Sequence, residues 1–488
     1  MTSAPGSLVQ GTLLTVAMRW TDRLIGLVST LILARLLTPA DFGIIAMATL
    51  VIALADVLLD LGTNIALVRD PDATQAHYDT AWTLRLIQTA LSTALIIAAA
   101  PLAADYFADA RVQPVLQILA FSLLLGGLEN IGIVAFHKHM QFGDEFRFLF
   151  ARRIAGFVIT IIAAIVLRNY WALVIGTLGG RLLGVVLSYL MHPMRPRLSL
   201  ARFRALFAVS QWMLLRGIGD FLNQGLHRML VGRWNSAPVM GAYTVAHEIA
   251  TMPSAELVAP MNRALFPALA AAHDDPAERQ RLFLLALGLQ AAIAIPAATG
   301  LALIAPLAVP VLLGAQWSEA TPLLQLLALA GIAHALTAGS QYLLIVLGKL
   351  AQATTIIWLQ VGLFAALALL AMPGADAEAL AALRLVVSAS AILATAVFIC
   401  RHGGIPLRAM ARACLRPLVA TSLMALAVFT SGHIDVAASL PSAIMLIVQI
   451  ALGASSYAAA LFGLWALQGR PAGAESWLFT KIRSLMGQ

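Results

Sequence analysis

The sequence predicts an all-α polytopic membrane protein of 14 transmembrane helices: two pseudo-symmetric six-helix lobes, two further C-terminal helices, and a polar central cavity. Three observations predict it. The chain is 61% hydrophobic and 11% charged, with a mean hydropathy of +0.88, a composition foreign to water-soluble globular domains. Apolar runs of about 20 residues, enough helix to cross a bilayer, recur from one end to the other. And a shift of 198 residues lays one part of the chain on another without a gap.

The spans follow in order. Span 1 covers 10–37 and span 2 covers 42–68, joined by the turn "TPAD" at 38–41, with Pro39 placed to start a helix. Spans 3 to 6 are read at 81–103, 114–136, 148–167 and 170–190, and spans 7 and 8 at 205–232 and 237–268, with Pro238 again at a helix start. Spans 9 to 14 are read at 282–305, 320–347, 351–372, 378–400, 412–431 and 440–467. Pro253, Pro260 and Pro296 are expected to kink spans 8 and 9. The stretch 475–486, "ESWLFTKIRSLM", suits an amphipathic helix lying on the membrane surface.

Orientation comes from the basic residues. With both termini inside, and charges at span ends counted with the side they adjoin, 19 of the 31 Lys and Arg fall on the cytoplasmic side, 4 fall outside, and 8 lie deeper within spans. That bias obeys the positive-inside rule and accounts for the net charge of +8 without a nucleic-acid partner. The first 9 residues carry no Lys or Arg, so a cleaved signal peptide is not expected and span 1 is expected to stay in the mature protein. Two cysteines, Cys400 and Cys414, make no disulfide framework.

The 198-residue shift places "LARLLTPADFGIIAMA" (33–48) over "VGRWNSAPVMGAYTVA" (231–246), matching Arg35 to Arg233 and Gly43 to Gly241. Asp22 falls on Asp220 and Asn64 on Asn262. A shared Ala/Leu bias cannot produce such polar matches. The repeat divides the chain into a lobe of spans 1–6 (1–200), a lobe of spans 7–12 (201–402), and a tail of spans 13 and 14 with the amphipathic stretch (403–488). Parallel repeats of this kind are a transporter architecture.

Charges inside the spans carry the functional reading. Span 1 holds Arg19, Asp22 and Arg23; span 2 holds Asp56 and Asp60, four apart, then Asn64. Span 4 holds Glu129 and Asn130. Span 7 carries the helical stripe Arg216, Asp220, Asn223 and His227, with Arg228 alongside, and span 8 carries His247, Glu248 and Glu256. A charge at a helix centre costs about 2.5–3.5 kcal/mol to insert, so these residues must pair or line a watery cavity. Both readings stand: ion pairs that fix helix packing, or a cavity wall between the repeat-related spans. A cationic wall of Arg19, Arg23, Arg216, Asn223, His227 and Arg228 suits an anionic substrate, since Arg binds phosphate in bidentate fashion. Asp22, Asp56, Asp60, Asn64, Glu129, Asp220, Glu248 and Glu256 then serve as counter-ions or as a site for a coupling H⁺ or Na⁺. His137 and His139 flank Lys138 without a carboxylate or Cys cluster, which reads as an interfacial basic patch rather than a metal site. His334 reads as a packed histidine.

Several of these stretches resemble a known family. "LARLLTPADFGIIAMA", "LLDLGTNIALVRD", "HYDTAWTLR", "HRMLVGRWNSAPVMGAYTVAHEIATMP" and "RALFPALA" are similar to the polysaccharide transporter branch of the multidrug/oligosaccharidyl-lipid/polysaccharide (MOP) flippase superfamily. Within it, the Wzx-type exporters of O-antigen, lipopolysaccharide and exopolysaccharide units, the colanic-acid group among them, look nearest. The resemblance covers about 10–350 and its element R-x-L-x-P-x-x-F-G, at Arg35 to Gly43, identifies no sugar. It implies two six-helix lobes in a V, alternating access, and undecaprenyl-pyrophosphate-linked oligosaccharide as substrate. It also implies arginines on the first helix of each lobe at the pyrophosphate, here Arg19, Arg23 and Arg216. It implies a bacterial inner-membrane location with both termini cytoplasmic, contact with membrane lipids and polysaccharide polymerase machinery, and no cofactor beyond a H⁺ or Na⁺ gradient.

A cation-coupled exporter of drugs or small molecules is the alternative in the same superfamily. The arginines of spans 1 and 7 weigh against it, while Asp56, Asp60, Glu248 and Glu256 weigh for it. An enzyme is not expected, because no nucleophile–base constellation or metal-ligand spacing is present and every outer connection is short.

Overall fold

The computed structural model describes all residues except 1–4, 60–73, 139–140, 202–209, 432–440, 472 and 486–488; of the side chains at 5–17, 19, 59, 137, 210–216, 255–257, 259–260, 478 and 482–485 only the backbone helix is described. The described residues contain no strand. Helices occupy all fourteen predicted stretches: α1 (Pro5–Leu36), α2 (Pro39–Leu59), α3 (Gln75–Phe107), α4 (Val112–Leu128), α5 (Phe142–Leu167), α6 (Trp171–Met191), α7 (Ser210–Trp234), α8 (Ala237–Met252), α9 (Pro276–Leu312), α10 (Ala320–Val346), α11 (Leu350–Ala366), α12 (Ala377–Gly403), α13 (Leu407–Ser431) and α14 (Ser442–Leu467). A last helix, α15 (Ala474–Leu485), occupies the amphipathic stretch.

Among the described residues, ten helices are long and apolar enough to cross a membrane. The four others are α1, α4, α7 and α8, which carry intramembrane charges or stop short. α4 ends at Leu128 and a short helix, Ile133–Lys138, resumes after a break. Span 8 stays helical through its prolines: α8 runs to Met252, passes into a π turn over Pro253–Val258, and goes on as a helix over Ala259–Ala271. Pro253 cannot donate to the preceding turn, and Pro260 sits in the first turn of the Ala259–Ala271 helix, where a missing N–H costs nothing.

Local chemistry sets the other ends. "TPAD" is a capping box, in which Thr38 N–H and Oγ1 donate to Asp41 Oδ2 at 2.9 and 2.6 Å. The other Asp41 oxygen accepts Tyr170 N–H at 2.9 Å and ties the start of α2 to that of α6. Asp275 caps α9 by accepting from Ala277 and Glu278 N–H, both at 3.0 Å. Asp376 caps α12, and Gly404 ends it in the left-handed region at φ 71°.

The chain divides into two compact units, Met1–Gly241 and Ala242–Gln488. In the first, α1 packs on α5, α5 on α6, α3 on α4, α4 on α6, and α2 on α3, α4 and α7. After α6 the chain runs extended along α3, where Asp79 Oδ1 accepts Arg197 N–H at 3.0 Å and Thr83 Oγ1 accepts Ser199 N–H at 2.9 Å. Also within this unit, the start of α2 crosses the start of α8. A Cβ on Gly43 would overlap the Ala237 carbonyl, and a Cβ on Gly241 would overlap the Pro39 carbonyl. The 198-residue shift maps each half of this contact onto the other, so the crossing is a local two-fold.

In the second unit α9 packs on α10, α13 and α14. α9 runs unbroken through Pro296. The proline leaves the Ala292 carbonyl without its helical N–H, and Tyr457 of α14 supplies a hydroxyl donor at 2.7 Å. α15 is held by the Glu475–Arg416 ion pair at 2.7 Å, with the carboxylate buried.

Gly→Ala normally favours a helix by about 1 kcal/mol. Gly43→Ala and Gly241→Ala are each expected to lower the melting temperature in detergent instead; an unchanged value contradicts the close crossing. Tyr457→Phe leaves a buried carbonyl unsatisfied and is expected to destabilise by about 1–3 kcal/mol, read from the same melting curves.

Candidate functional site

Three ion pairs of the first unit run between helices. On α1, Asp22 is exposed and accepts from Arg153 Nε of α5 at 3.1 Å. Gly26, one turn on, leaves room for that guanidinium, since a Cβ there would lie 2.9 Å from Arg153 Nη2. Arg23 is half-buried on the same helix.

Glu129 sits where α4 ends, with φ −55° and ψ 141°. It is buried and meets two arginines: Arg152 of α5 donates from Nη1 at 3.0 Å, and Arg85 of α3 approaches to 3.7 Å. Asn130 fixes the break. Its backbone N–H donates to Ser188 Oγ at 3.0 Å, its side-chain amide donates to the Met194 carbonyl at 2.7 Å, and its side-chain oxygen accepts Gly132 N–H at 2.9 Å. Broken helices inside a membrane protein persist only where their backbone is satisfied this way, and they mark binding regions.

Two further charges reach Arg85: Asp56 on α2, which attracts it, and Arg181 on α6, which repels it. α2 also meets α7, where the space at Gly217 lies 3.4 Å from a Val57 methyl. On α7, Asp220, Asn223 and Arg228 are half-buried and His227 is buried. Helices α1 to α7 of this unit thus each bring at least one charged residue into an otherwise apolar bundle.

Other expected site residues are placed less fully. Arg19 and Arg216 lie on α1 and α7, and Glu256 lies in the π turn, but their side chains are outside the described residues, as are Asp60 and Asn64 altogether. In the second unit Glu248 is exposed on α8 and His247 half-buried. Asn262, the repeat partner of Asn64, is buried and accepts from Gln290 at 2.7 Å. That unit also encloses a cavity of about 430 Å³, lined by Met252, Pro296, Leu301, Met424, Gln449 and Tyr457, almost wholly apolar. Among the described residues no cluster of His, Cys, Asp and Glu suits a metal ion.

Sequence reading missed Arg85, Arg152, Arg153 and Arg181 as site residues. Arg152 and Arg153 stand at the start of predicted span 5 and count there only as cytoplasmic-side charge, whereas in the structure they carry the ion pairs of α5. Arg85 and Arg181 did leave a signal, as solitary charges in apolar spans.

A family model described as polysaccharide biosynthesis protein matches residues 32–322. Lipopolysaccharide biosynthesis protein WzxC of Escherichia coli (strain K12) is 26% identical over 318 residues, 63% of each chain. The chain therefore spans less than two thirds of that relative. Succinoglycan biosynthesis transport protein ExoT of Rhizobium meliloti (strain 1021) is 27% identical over 437 residues, 87% of each chain. Among solved structures, the lipid II flippase MurJ in an inward closed conformation superposes with a TM-score of 0.75 at 13% identity, over 95% of this chain and 100% of that one. An inward-facing multidrug resistance MATE transporter of the MOP superfamily gives 0.56 at 14% identity, over 78% of this chain and 96% of that one. The fold is therefore that of the MOP transporters, and this multi-pass helical membrane protein belongs to the polysaccharide biosynthesis protein family.

Proposed function

We propose that the chain is a flippase that moves oligosaccharide repeat units linked to undecaprenyl pyrophosphate across the bacterial inner membrane by alternating access, for O-antigen or exopolysaccharide synthesis. It is a transporter rather than an enzyme. The observation that carries the reading is the arginine-rich interior of the first unit, where Arg23, Arg85, Arg152, Arg153 and Arg181 enter membrane helices. A lipid pyrophosphate carries charge near −2 or more, and guanidinium groups in a low-dielectric setting bind such an anion far more strongly than in water. The family membership and the likeness to a succinoglycan biosynthesis transport protein and to a lipid II flippase support the same substrate class.

In this reading Arg19, Arg23 and Arg216, with Asn223, His227 and Arg228, face the pyrophosphate and glycan. Asp22, Asp56, Asp60, Asn64, Glu129, Asp220, Glu248 and Glu256 balance the arginines or bind a H⁺ or Na⁺ that couples transport to a gradient. The apolar cavity of the second unit is of a size and character to take part of an isoprenoid chain. Both termini are cytoplasmic, and the polysaccharide polymerase machinery receives the product.

The test is transport by purified protein in liposomes, with fluorescent undecaprenyl-pyrophosphate oligosaccharide placed in one leaflet. Wild type is expected to move the lipid, and Arg23→Ala to move it at least tenfold more slowly while inserting normally. Wild-type protein that leaves this lipid in place but takes up organic cations against a proton gradient would establish the small-molecule exporter instead.

A further inference from the structure

The cluster around Glu129 has more donors than its own acceptors can use. Arg85, Arg152 and Arg181 present fifteen N–H groups. Glu129 spends its shorter contact on Arg152, at 3.0 Å, and holds Arg85 at 3.7 Å, beyond hydrogen-bond range. Arg181 has no hydrogen-bond or ion-pair partner among the described residues, and it lies close enough to Arg85 to repel it.

Exposure is divided in a telling way. The Glu129 side chain is 10% exposed, whereas those of Arg85 and Arg152 are 24% and 29% exposed. The carboxylate is the more enclosed partner and the arginine side chains the more accessible ones. Two glycines open the space. A Cβ on Gly126 would lie 3.5 Å from Arg181 Nη1, and one on Gly184 would lie 2.7 Å from Arg152 Cδ and 3.2 Å from Glu129 Oε1. Arg152 is steadied further by the Phe148 ring, 5.5 Å from its guanidinium carbon. The whole is pinned to the fixed break in α4, so the arrangement is set before any ligand arrives.

We propose that Arg85 and Arg181 form a binding site for a phosphoryl anion in the first unit, with the Glu129–Arg152 pair as its anchor. Glu129 is a positioning residue: it keeps Arg85 near the ligand without neutralising it fully. The site stands on the side where α3 and α5 begin and α4 ends. In the positive-inside orientation this is the cytoplasmic side, where a lipid-linked diphosphate is loaded. The ligand chemistry is a phosphate oxyanion on a lipid, supplied either by the undecaprenyl pyrophosphate of the proposed function, on which this assignment of a loading role rests, or by the headgroup of an anionic phospholipid. The motif "HYDTAWTLR" gains a reason: Asp79 and Thr83 hold the extended segment after α6, and Arg85 reaches the anion.

The experiment is native mass spectrometry of the full-length protein in detergent, titrated separately with undecaprenyl pyrophosphate and with phosphatidylglycerol. Arg181→Gln breaks no contact within the protein and is expected to fold with an unchanged melting temperature while losing about tenfold or more in affinity for the lipid diphosphate, the loss of one charge-assisted contact. Arg85→Gln is expected to lose as much. Glu129→Gln is expected to weaken binding too, with Glu129→Asp restoring most of it, a rescue that a merely space-filling role would not give. Wild-type affinity for both lipids in Arg85→Gln and Arg181→Gln overturns the site and leaves the flippase reading standing. Binding of phosphatidylglycerol alone, lost in Arg181→Gln, keeps the phosphoryl site, assigns it to a membrane headgroup and removes the loading role. A wild-type protein that binds neither lipid overturns both.

Discussion

The structure of the first unit turns on the cost of holding arginine inside a membrane bundle. Each buried guanidinium is costly alone and becomes tolerable when a carboxylate or an anionic ligand faces it. The pairs found here run between helices: Asp22 of α1 to Arg153 of α5, and Glu129 at the end of α4 to Arg152 of α5 and Arg85 of α3. Those pairings constrain which helices lie side by side. They sit beside glycine at positions 26 and 184: a Cβ at 26 would crowd the Arg153 guanidinium, and one at 184 would crowd the Arg152 stem and the Glu129 carboxylate. Positive charge still exceeds negative charge around Glu129, and in the proposed function that excess faces an anionic lipid.

The second unit solves a different problem. Its helices are mostly apolar, and several of its buried polar groups are each met by a single partner. Tyr457 answers the carbonyl that Pro296 abandons, Gln290 answers Asn262, and Arg416 answers Glu475 at the foot of the last helix. An apolar cavity remains beside Pro296. A proline that both perturbs a helix and borders a cavity, yet has its lost hydrogen bond replaced, shapes the space without weakening the fold.

Much of this was legible before the structure. Hydropathy located ten of the helices outright, because each is apolar over about 20 residues. Capping chemistry was readable in "TPAD", where Thr38 and Asp41 satisfy each other, and the matched glycines 43 and 241 in the repeat are the two backbones that meet. Asp22 and Glu129 stood out as charges out of place. Their partners did not, because an ion pair between helices depends on which helices are neighbours, and hydropathy does not encode adjacency. Arg152 and Arg153 lie near the start of predicted span 5 and count there only toward the cytoplasmic charge. The break at Glu129 was equally hidden: it is created by Asn130 bonding to residues some sixty positions away, and nothing in the local sequence announces it.

The central claim is that the charged interior of the first unit is a water-accessible surface with net positive potential. The most direct measurement is the reactivity of a thiol placed there. In a protein with Cys400 and Cys414 replaced, Asp56→Cys would be labelled in membrane vesicles with anionic and with cationic methanethiosulfonate reagents, and the rate ratio compared with that of a free thiol. The account predicts modification, with the ratio shifted at least severalfold toward the anionic reagent and the shift reduced when Arg85 is replaced by Gln. No modification, or a shift toward the cationic reagent, would contradict it.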